Sequence, residues 1–139
     1  MEEIKVGYFI RTNKGIIGKL KRIELDEIDK NLKWYVFDKK RPDMNIVDEI
    51  YIKKPYITKY SKNIIDLIEC GDYVNGELVS SIYDIVNSDC ESIGKKITTK
   101  YRTAQFTGLD INYYIYAEDI KTILTHEQYN VNCYKVKGE

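Results

Sequence analysis

The sequence predicts a mostly β protein: two small SH3-like barrel-type halves in tandem, with short helical turns. Its 13 tyrosines in 139 residues favour sheet, because tyrosine and the β-branched residues suit a pleated, half-buried surface. One pattern, a glycine–aromatic–aliphatic strand followed by a turn glycine and a curved strand, occurs twice in the same order. We expect an N-terminal half over residues 1–60, a connector and hairpin over 61–76, and a C-terminal β half with a short helical end over 77–139.

The first half opens with two strands around a polar turn. Residues 4–10 form the first strand, and the polar segment 11–14 leads to Gly15. Residues 16–23 return as the partner strand and are expected to curve at Gly18, since glycine within a strand often marks a bend.

The rest of this half alternates strands with charged segments. Residues 24–31 are an acidic excursion without a periodic apolar face, and residues 32–37 are a third strand rich in aromatics. Residues 39–45 are predicted to be a charged loop. Residues 50–52 form a short fourth strand, which Pro55 ends because proline lacks the backbone N–H.

The connector combines a helical turn with a hairpin. Ser61 is a suitable N-cap for a turn carrying the apolar residues of 64–68. Asn75-Gly76 is a strong hairpin signal, because a type I′ turn requires positive φ at both central residues.

The second half repeats the strand-rich organisation. Residues 80–86, 93–102 and 113–117 read as strands. The four residues from Thr125 fit a capping box at the start of a short helix, and residues 134–136 close as an edge strand.

The two openings align with each other. Residues 6–10 match 70–74, and each is followed by a turn glycine, with a longer turn in the first copy. If the halves are structural repeats, Phe9 and Tyr73 should occupy equivalent positions. A chance repetition in a β-rich chain is the alternative.

Charge and cysteine usage narrow the classes of partner. The net charge is zero, from 22 basic and 22 acidic residues, which removes the simplest electrostatic case for non-specific nucleic-acid binding. The three cysteines are widely spaced, and no signal peptide or apolar span is evident, so we expect reduced thiols in a cytosol and no membrane partner. Zinc needs closely paired ligands, and His126 is the single histidine, so we expect no metal.

The central block 61–76 resembles a family of small hypothetical proteins from phages and prophages of clostridia and related Firmicutes. The opening of the chain and residues 120–129 are similar to that family as well, and together these stretches cover about a third of the chain. Segments 32–48 and 91–112 depart from the family pattern. The resemblance implies a phage context in a host bacterial cytoplasm and supplies no catalytic residues.

No motif or residue arrangement in the sequence indicates a catalytic site. His126 is explained as a solvated residue at a helix start, and an Asp66–Asp72 carboxylate pair is better explained by the turn chemistry around Asp72. The sequence has no glycine-rich phosphate loop and no nucleophile elbow. We therefore predict no enzyme, no catalytic residue and no cofactor.

A binding site is the better prediction. Residues 95–106 interleave cations with aromatics, so Arg102 can grip a phosphate while Tyr101 or Phe106 stacks on a base. The alternative is an exposed strand edge protected by lysine. Arg11 lies in a cationic turn and is predicted to supply a second cation to the site. The alternative is that this segment is an ordinary solvated turn. The predicted ligand-binding residues are Arg102, Tyr101, Phe106, Arg11 and Lys100.

The predicted function is a non-enzymatic phage accessory protein that counters host defence by binding. It would sequester a nucleotide-type immune signal or mask a host defence protein. The alternative is an SH3-like nucleic-acid-binding module in phage regulation, against which the zero net charge counts. A third hypothesis is that the protein is a nucleotide-processing enzyme. The sequence leaves homo-oligomerisation open.

Overall fold

The structure, a computed structural model, describes most of the chain. Its described residues are 3–41, 46–100 and 114–132, with the side chains of 40, 41 and 130–132 excepted.

The chain divides into two compact units, residues 1–67 (unit 1) and 68–139 (unit 2). The division falls inside the predicted connector 61–76. The first residues of that connector belong to unit 1, and its hairpin belongs to unit 2.

Unit 1 is a five-stranded antiparallel sheet with two 3₁₀ helices. In chain order its elements are β1 (Phe9–Thr12), β2 (Ile17–Leu25), β3 (Lys33–Arg41), β4 (Ile46–Ile52), η1 (Lys54–Tyr56), β5 (Ile57–Ser61) and η2 (Ile64–Leu67). The strands lie in the order β4-β3-β2-β1-β5.

Unit 2 is a second five-stranded antiparallel sheet. Its elements are β6 (Tyr73–Val74), β7 (Glu77–Val86), β8 (Ser92–Thr99), β9 (Ile115–Tyr116), η3 (Ala117–Asp119), β10 (Ile123–Leu124) and α1 (His126–Asn132). The strands lie in the order β10-β6-β7-β8-β9.

The two units have the same topology. In each, the fourth, third, second, first and fifth strands are neighbours in that order, a 3₁₀ helix separates the fourth strand from the fifth, and a helix follows the fifth. The mostly β prediction is confirmed. Neither sheet closes on itself, so each barrel-type half is an open sheet with its fourth and fifth strands at the edges.

The equivalence extends to single residues at the start of each sheet. Gly7 donates its backbone N–H to Leu20 at 2.8 Å, and Gly71 donates to Val79 at 3.1 Å. Both glycines have positive φ, 95° and 97°, which glycine adopts without a steric penalty. The residue two positions after each glycine begins the first strand of its unit.

A β-bulge follows each of these acceptor residues. The register of β2 against β3 shifts after Leu20, and that of β7 against β8 shifts after Val79. A bulge bends the strand and increases its local twist. The sequence predicts a bend at Gly18, whereas the bulge of β2 lies three positions later, at Lys21.

Gly18 serves a packing purpose instead. A Cβ placed there would lie 2.0 Å from Cδ2 of Phe37, whose ring is fully buried. Glycine at this position lets β2 pass directly over the ring. The core of unit 1 consists of Ile4, Ile10, Leu20, Tyr35 and Phe37.

Two predicted loops of the first half are shorter than expected. The loop prediction for 39–45 is wrong at its start, because β3 continues to Arg41 and Lys39 pairs with Asp48 across the sheet. Cross-strand pairs of opposite charge favour this extension. Residues 42–45 lie outside the described residues.

The acidic excursion after β2 is a hairpin loop organised by Asp26. Its carboxylate accepts hydrogen bonds from the backbone N–H groups of Asp29 and Ile28 and from the indole N–H of Trp34. These hydrogen bonds, with that from Asp29 the strongest, lower the pKa of Asp26 to about 2.

The predicted hairpin turn of the connector is confirmed. Asn75 and Gly76 have φ values of 52° and 80°. The helical turn before it is the 3₁₀ helix η2, where the Ser61 hydroxyl accepts the backbone N–H of Asn63 at 3.1 Å. The predicted edge strand 134–136 lies outside the described residues.

Candidate functional site

The structure describes two of the five predicted ligand-binding residues, Lys100 and Arg11. Tyr101, Arg102 and Phe106 lie outside the described residues, so their role stays a prediction. Lys100 is exposed and directly follows β8. Arg11 is fully buried in unit 1, where its Nη1 donates to the carbonyl oxygen of Leu67 at 2.9 Å.

The buried Arg11 side chain contributes to the structure of unit 1. Its guanidinium joins β1 to the end of η2, and the neighbouring Thr12 hydroxyl accepts the backbone N–H groups of Lys14 and Ile16. The predicted cationic turn 11–14 is therefore wrong at its start, because Arg11 and Thr12 are buried residues of β1 and the turn begins at Asn13. We leave Arg11 out of the site described next.

A row of aromatic and basic side chains crosses the sheet of unit 2. Tyr83 of β7 is paired with Lys96 of β8, and Lys96 is paired with Tyr116 of β9. Residues directly opposite one another on neighbouring strands point to the same face. Tyr114 stands two residues before Tyr116, and the period of two along a strand favours the same face for it.

The side chains of this row touch one another. Lys96 Nζ lies 4.1 Å from the centroid of the Tyr114 ring, a cation–π contact. The Tyr114 ring meets Tyr83 at 6.0 Å and Tyr116 at 6.4 Å between centroids, both edge-on. We call these four residues, Tyr83, Lys96, Tyr114 and Tyr116, the tyrosine cluster.

The alternation of the strands explains why the cluster faces outward. Ile97 and Ile115, the neighbours in sequence of the cluster residues on β8 and β9, are 0% and 2% exposed. They pack inward, so the polar-tipped rings are placed on the opposite face. Tyr83 and Tyr116 are 47% and 37% exposed.

A pocket of about 600 Å³ adjoins the cluster at Tyr114, which lines it. Two carboxylates, Glu118 and Asp119, and one cation, Lys121, line it as well. The remaining lining residues are Asn75, Ile115 and Thr122.

Asn75 fixes one wall of this pocket. Its side-chain amide donates to the carbonyl oxygen of Asp119 at 2.8 Å, and its side-chain oxygen accepts the backbone N–H groups of Lys121 and Thr122 at 2.7 and 3.1 Å. The carboxylate of Asp119 in turn accepts the backbone N–H of Tyr116 at 3.2 Å. The hairpin turn thus holds the segment around η3 against β6.

Two cations of unit 1, Arg22 and Lys21, are paired with carboxylates. Arg22 contacts Glu24 and donates to Glu49 at 2.7 and 2.9 Å, and Lys21 also contacts Glu49. Hydrogen bonds from Arg22 and then Lys21 hold the pKa of Glu49 well below its usual range. The positive charge of Arg22 is therefore neutralised by neighbouring carboxylates.

Unit 1 also has a smaller pocket of about 410 Å³. The stacked rings of Tyr8 and Tyr60 line it, with Lys62 Nζ 6.0 Å from the Tyr8 ring centroid. It has fewer aromatic rings than the tyrosine cluster, which we take as the stronger candidate.

The ring and the indole N–H of Trp34 both have partners within unit 1. Tyr35 and Phe37 are buried in the core, whereas Trp34 lies beside Lys53, whose Nζ is 5.0 Å from the ring centroid. The indole N–H is occupied by Asp26 at 3.0 Å. Two of the three aromatic rings of this stretch are therefore core residues.

Glu69, His126 and Glu127 form a separate group whose ligand atoms all lie within 4.8 Å of one another. The sequence analysis explains His126 only as a residue at a helix start. The group depends on β6, which brings α1 beside the residues before Tyr73, and spacing in the chain does not reveal it.

No family model, curated protein or solved structure matches the chain. Among the described residues, none of the helices has the length and apolar character needed to cross a membrane.

Proposed function

We propose that the protein binds a nucleotide-type ligand without transforming it, and that the tyrosine cluster is the surface that receives the base. The observation that carries this proposal is the row on one face of unit 2 in which the Tyr114 ring contacts Tyr83, Tyr116 and Lys96. Tyrosine offers a rigid face for a base at low entropic cost, and stacking of this kind is worth about 1–3 kcal/mol per base.

The adjoining pocket suits the rest of such a ligand. Carboxylates such as those of Glu118 and Asp119 accept hydrogen bonds from ribose hydroxyls and from base N–H groups, and Lys96 and Lys121 offer charge to a phosphate. A nucleotide needs all three kinds of contact within a short distance. They occur together here, around Tyr114.

The sequence-based candidates are near the cluster residues in the sequence. Residues 101–113 lie between Lys100, which is four positions beyond Lys96, and Tyr114. Arg102 and Tyr101 are therefore close in the chain to residues of the cluster. We propose Arg102 as the bidentate phosphate contact.

The proposed biological role is that of a phage accessory protein that counters host defence by sequestering a nucleotide-type immune signal. The similarity of the central block to phage and prophage proteins supports this context. A single-stranded nucleic acid is the competing ligand, because aromatic rings beside lysine also bind bases in a strand. The zero net charge disfavours a long polyanion.

The test is calorimetric titration with cyclic di-AMP, cyclic di-GMP and ADP-ribose. Wild type is compared with Tyr114→Ala and with Tyr56→Ala, a control that removes a half-exposed tyrosine of unit 1. We expect Tyr114→Ala to weaken binding about 5- to 150-fold, the range of one lost stacking contact, and Tyr56→Ala to leave it unchanged.

Two outcomes would overturn the proposal. If none of the probes binds at micromolar concentration, the protein does not bind a nucleotide signal of these classes. Binding of a 12-nucleotide single strand with strong salt dependence would then support the nucleic-acid alternative. If neither class binds, masking of a host protein becomes the better explanation. Equal binding by Tyr114→Ala would move the site away from the cluster.

A further inference from the structure

We infer that Glu69, His126 and Glu127 form a binding site for a divalent transition metal in unit 2. His126 Nε2 lies 2.9 Å from a carboxylate oxygen of Glu69 and 3.5 Å from one of Glu127. Each residue contributes one ligand atom, and the three atoms lie within 4.8 Å of one another. This inference is independent of the proposed nucleotide site.

The separations suit a small metal ion. Zinc binds imidazole nitrogen and carboxylate oxygen at about 2.0–2.2 Å, so two ligands of a tetrahedral ion lie about 3.4 Å apart. The contacts of 2.9 and 3.5 Å bracket that value. Small side-chain adjustments would place an ion between the three atoms. Since the side chains of the group are 24–39% exposed, water can complete the coordination.

A buried carboxylate holds two of the ligand-bearing residues in place. Asp72 is fully buried, and its two oxygens accept the backbone N–H groups of Glu69 at 2.8 Å and His126 at 2.9 Å. The backbones of both residues are therefore fixed to the same side chain. Such a rigid frame lowers the cost of assembling a metal site, as second-shell partners do in known centres.

The helix that carries the histidine is also fixed. The ring of Tyr129 in α1 packs on Tyr73 of β6 with 5.2 Å between centroids. Thr125 is buried before the helix, and its hydroxyl accepts the backbone N–H of Gln128 at 3.4 Å.

The donor set selects the class of metal. One imidazole with two carboxylates favours Zn²⁺, Co²⁺ or Ni²⁺, whereas Mg²⁺ and Ca²⁺ prefer oxygen ligands alone. Two carboxylates within 4.8 Å of each other repel, and a cation between them relieves that repulsion.

The single histidine makes the test direct, because its two carbon-bound ring protons give resolved NMR signals that belong to one known residue. The protein is prepared without a polyhistidine tag and with Cys70 and Cys90 changed to serine, since both thiols are exposed. Zn²⁺ is titrated while the ring signals are followed, and calorimetry gives the stoichiometry. We expect one Zn²⁺ per chain and a shift of the His126 signals that saturates at one equivalent.

Variants separate a metal site from a hydrogen bond. Glu69→Gln should weaken Zn²⁺ at least tenfold, and His126→Gln should weaken it at least a hundredfold, while Glu91→Gln, an exposed carboxylate of unit 2, should leave it unchanged. Circular dichroism confirms that each variant is folded. If the His126 signals do not move with 1 mM Zn²⁺, or if His126→Gln binds Zn²⁺ as wild type does, the inference is overturned.

Discussion

Replacing Gly18 by alanine should destabilise unit 1, and Gly94→Ala provides a matched control in unit 2. The added methyl at position 18 would lie 2.0 Å from Cδ2 and 2.7 Å from Cε2 of the Phe37 ring. Carbon atoms in contact prefer about 3.5–4.0 Å, so the ring or the strand must move by more than 1 Å. The ring is 0% exposed, so a movement of this size disturbs the core around it.

The expected magnitude follows from two opposing effects. Overpacking of this kind costs about 1–3 kcal/mol, and the upper part of that range applies because the overlap is with a buried ring. Alanine also restricts the unfolded chain, which returns about 0.4–1 kcal/mol. The net loss for Gly18→Ala is therefore about 2 kcal/mol. At Gly94 the methyl would meet Ile85 at 3.9 Å, an ordinary contact, so we expect no loss of stability.

Urea denaturation followed by tryptophan fluorescence measures this difference. The single tryptophan, Trp34, lies in β3 of unit 1, so its emission reports the unit that Gly18→Ala perturbs. Far-ultraviolet circular dichroism follows both units for the Gly94→Ala control. An unchanged or raised urea midpoint for Gly18→Ala, with the slope preserved, would refute the packing argument.

Three further changes test other parts of the structure. Gly76→Val should lower stability by about 1–2 kcal/mol, because a β-branched residue is strained at φ 80°, and a melting temperature within a degree of wild type would contradict the turn. The pKa of Asp26 is lowered to about 2, so the stability that its carboxylate contributes is present above about pH 4 and is lost as the pH falls towards 2. Asp26→Asn should therefore flatten the decline of stability in acid. In the wild type, the NMR signal of the Trp34 indole N–H should titrate near pH 2 rather than near 4. Arg11→Lys should cost about 3 kcal/mol in urea denaturation, because the guanidinium is fully buried and hydrogen-bonded, whereas Arg22→Lys at the surface should cost below about 1 kcal/mol; equal losses would contradict the burial of Arg11.

The fold was predictable because its signals are local. Alternating apolar residues, the Asn75-Gly76 turn and the repeated glycine before the first strand each act over a few residues, and each specifies a strand or a turn. Strand ends were less predictable. Lys39 reads as part of a charged loop until its cross-strand partner Asp48 is known, because the pairing that extends β3 is made by distant residues.

The site was less predictable for the same reason. Tyr83, Lys96 and Tyr116 are distant in the chain, and only the register of β7, β8 and β9 brings them into one row. A signal did exist, since each of these residues precedes or follows an isoleucine that faces inward. For Arg11 the sequence predicts a solvated position, whereas the side chain is buried. Its hydrogen bond to the carbonyl oxygen of Leu67 is made by a residue distant in the chain, so the sequence alone does not reveal it.

The most direct test of the proposed function is aromatic NMR of protein carrying ¹³C-labelled tyrosine, recorded with and without cyclic di-AMP, cyclic di-GMP or ADP-ribose. The proposal predicts that the ring signals of Tyr83, Tyr114 and Tyr116 shift at a saturating concentration of one probe and show intermolecular contacts to its base protons. The signals of Tyr56 and Tyr51, both half-exposed in unit 1, should stay in place. Binding of a probe that leaves the three cluster rings unshifted would contradict the proposed site.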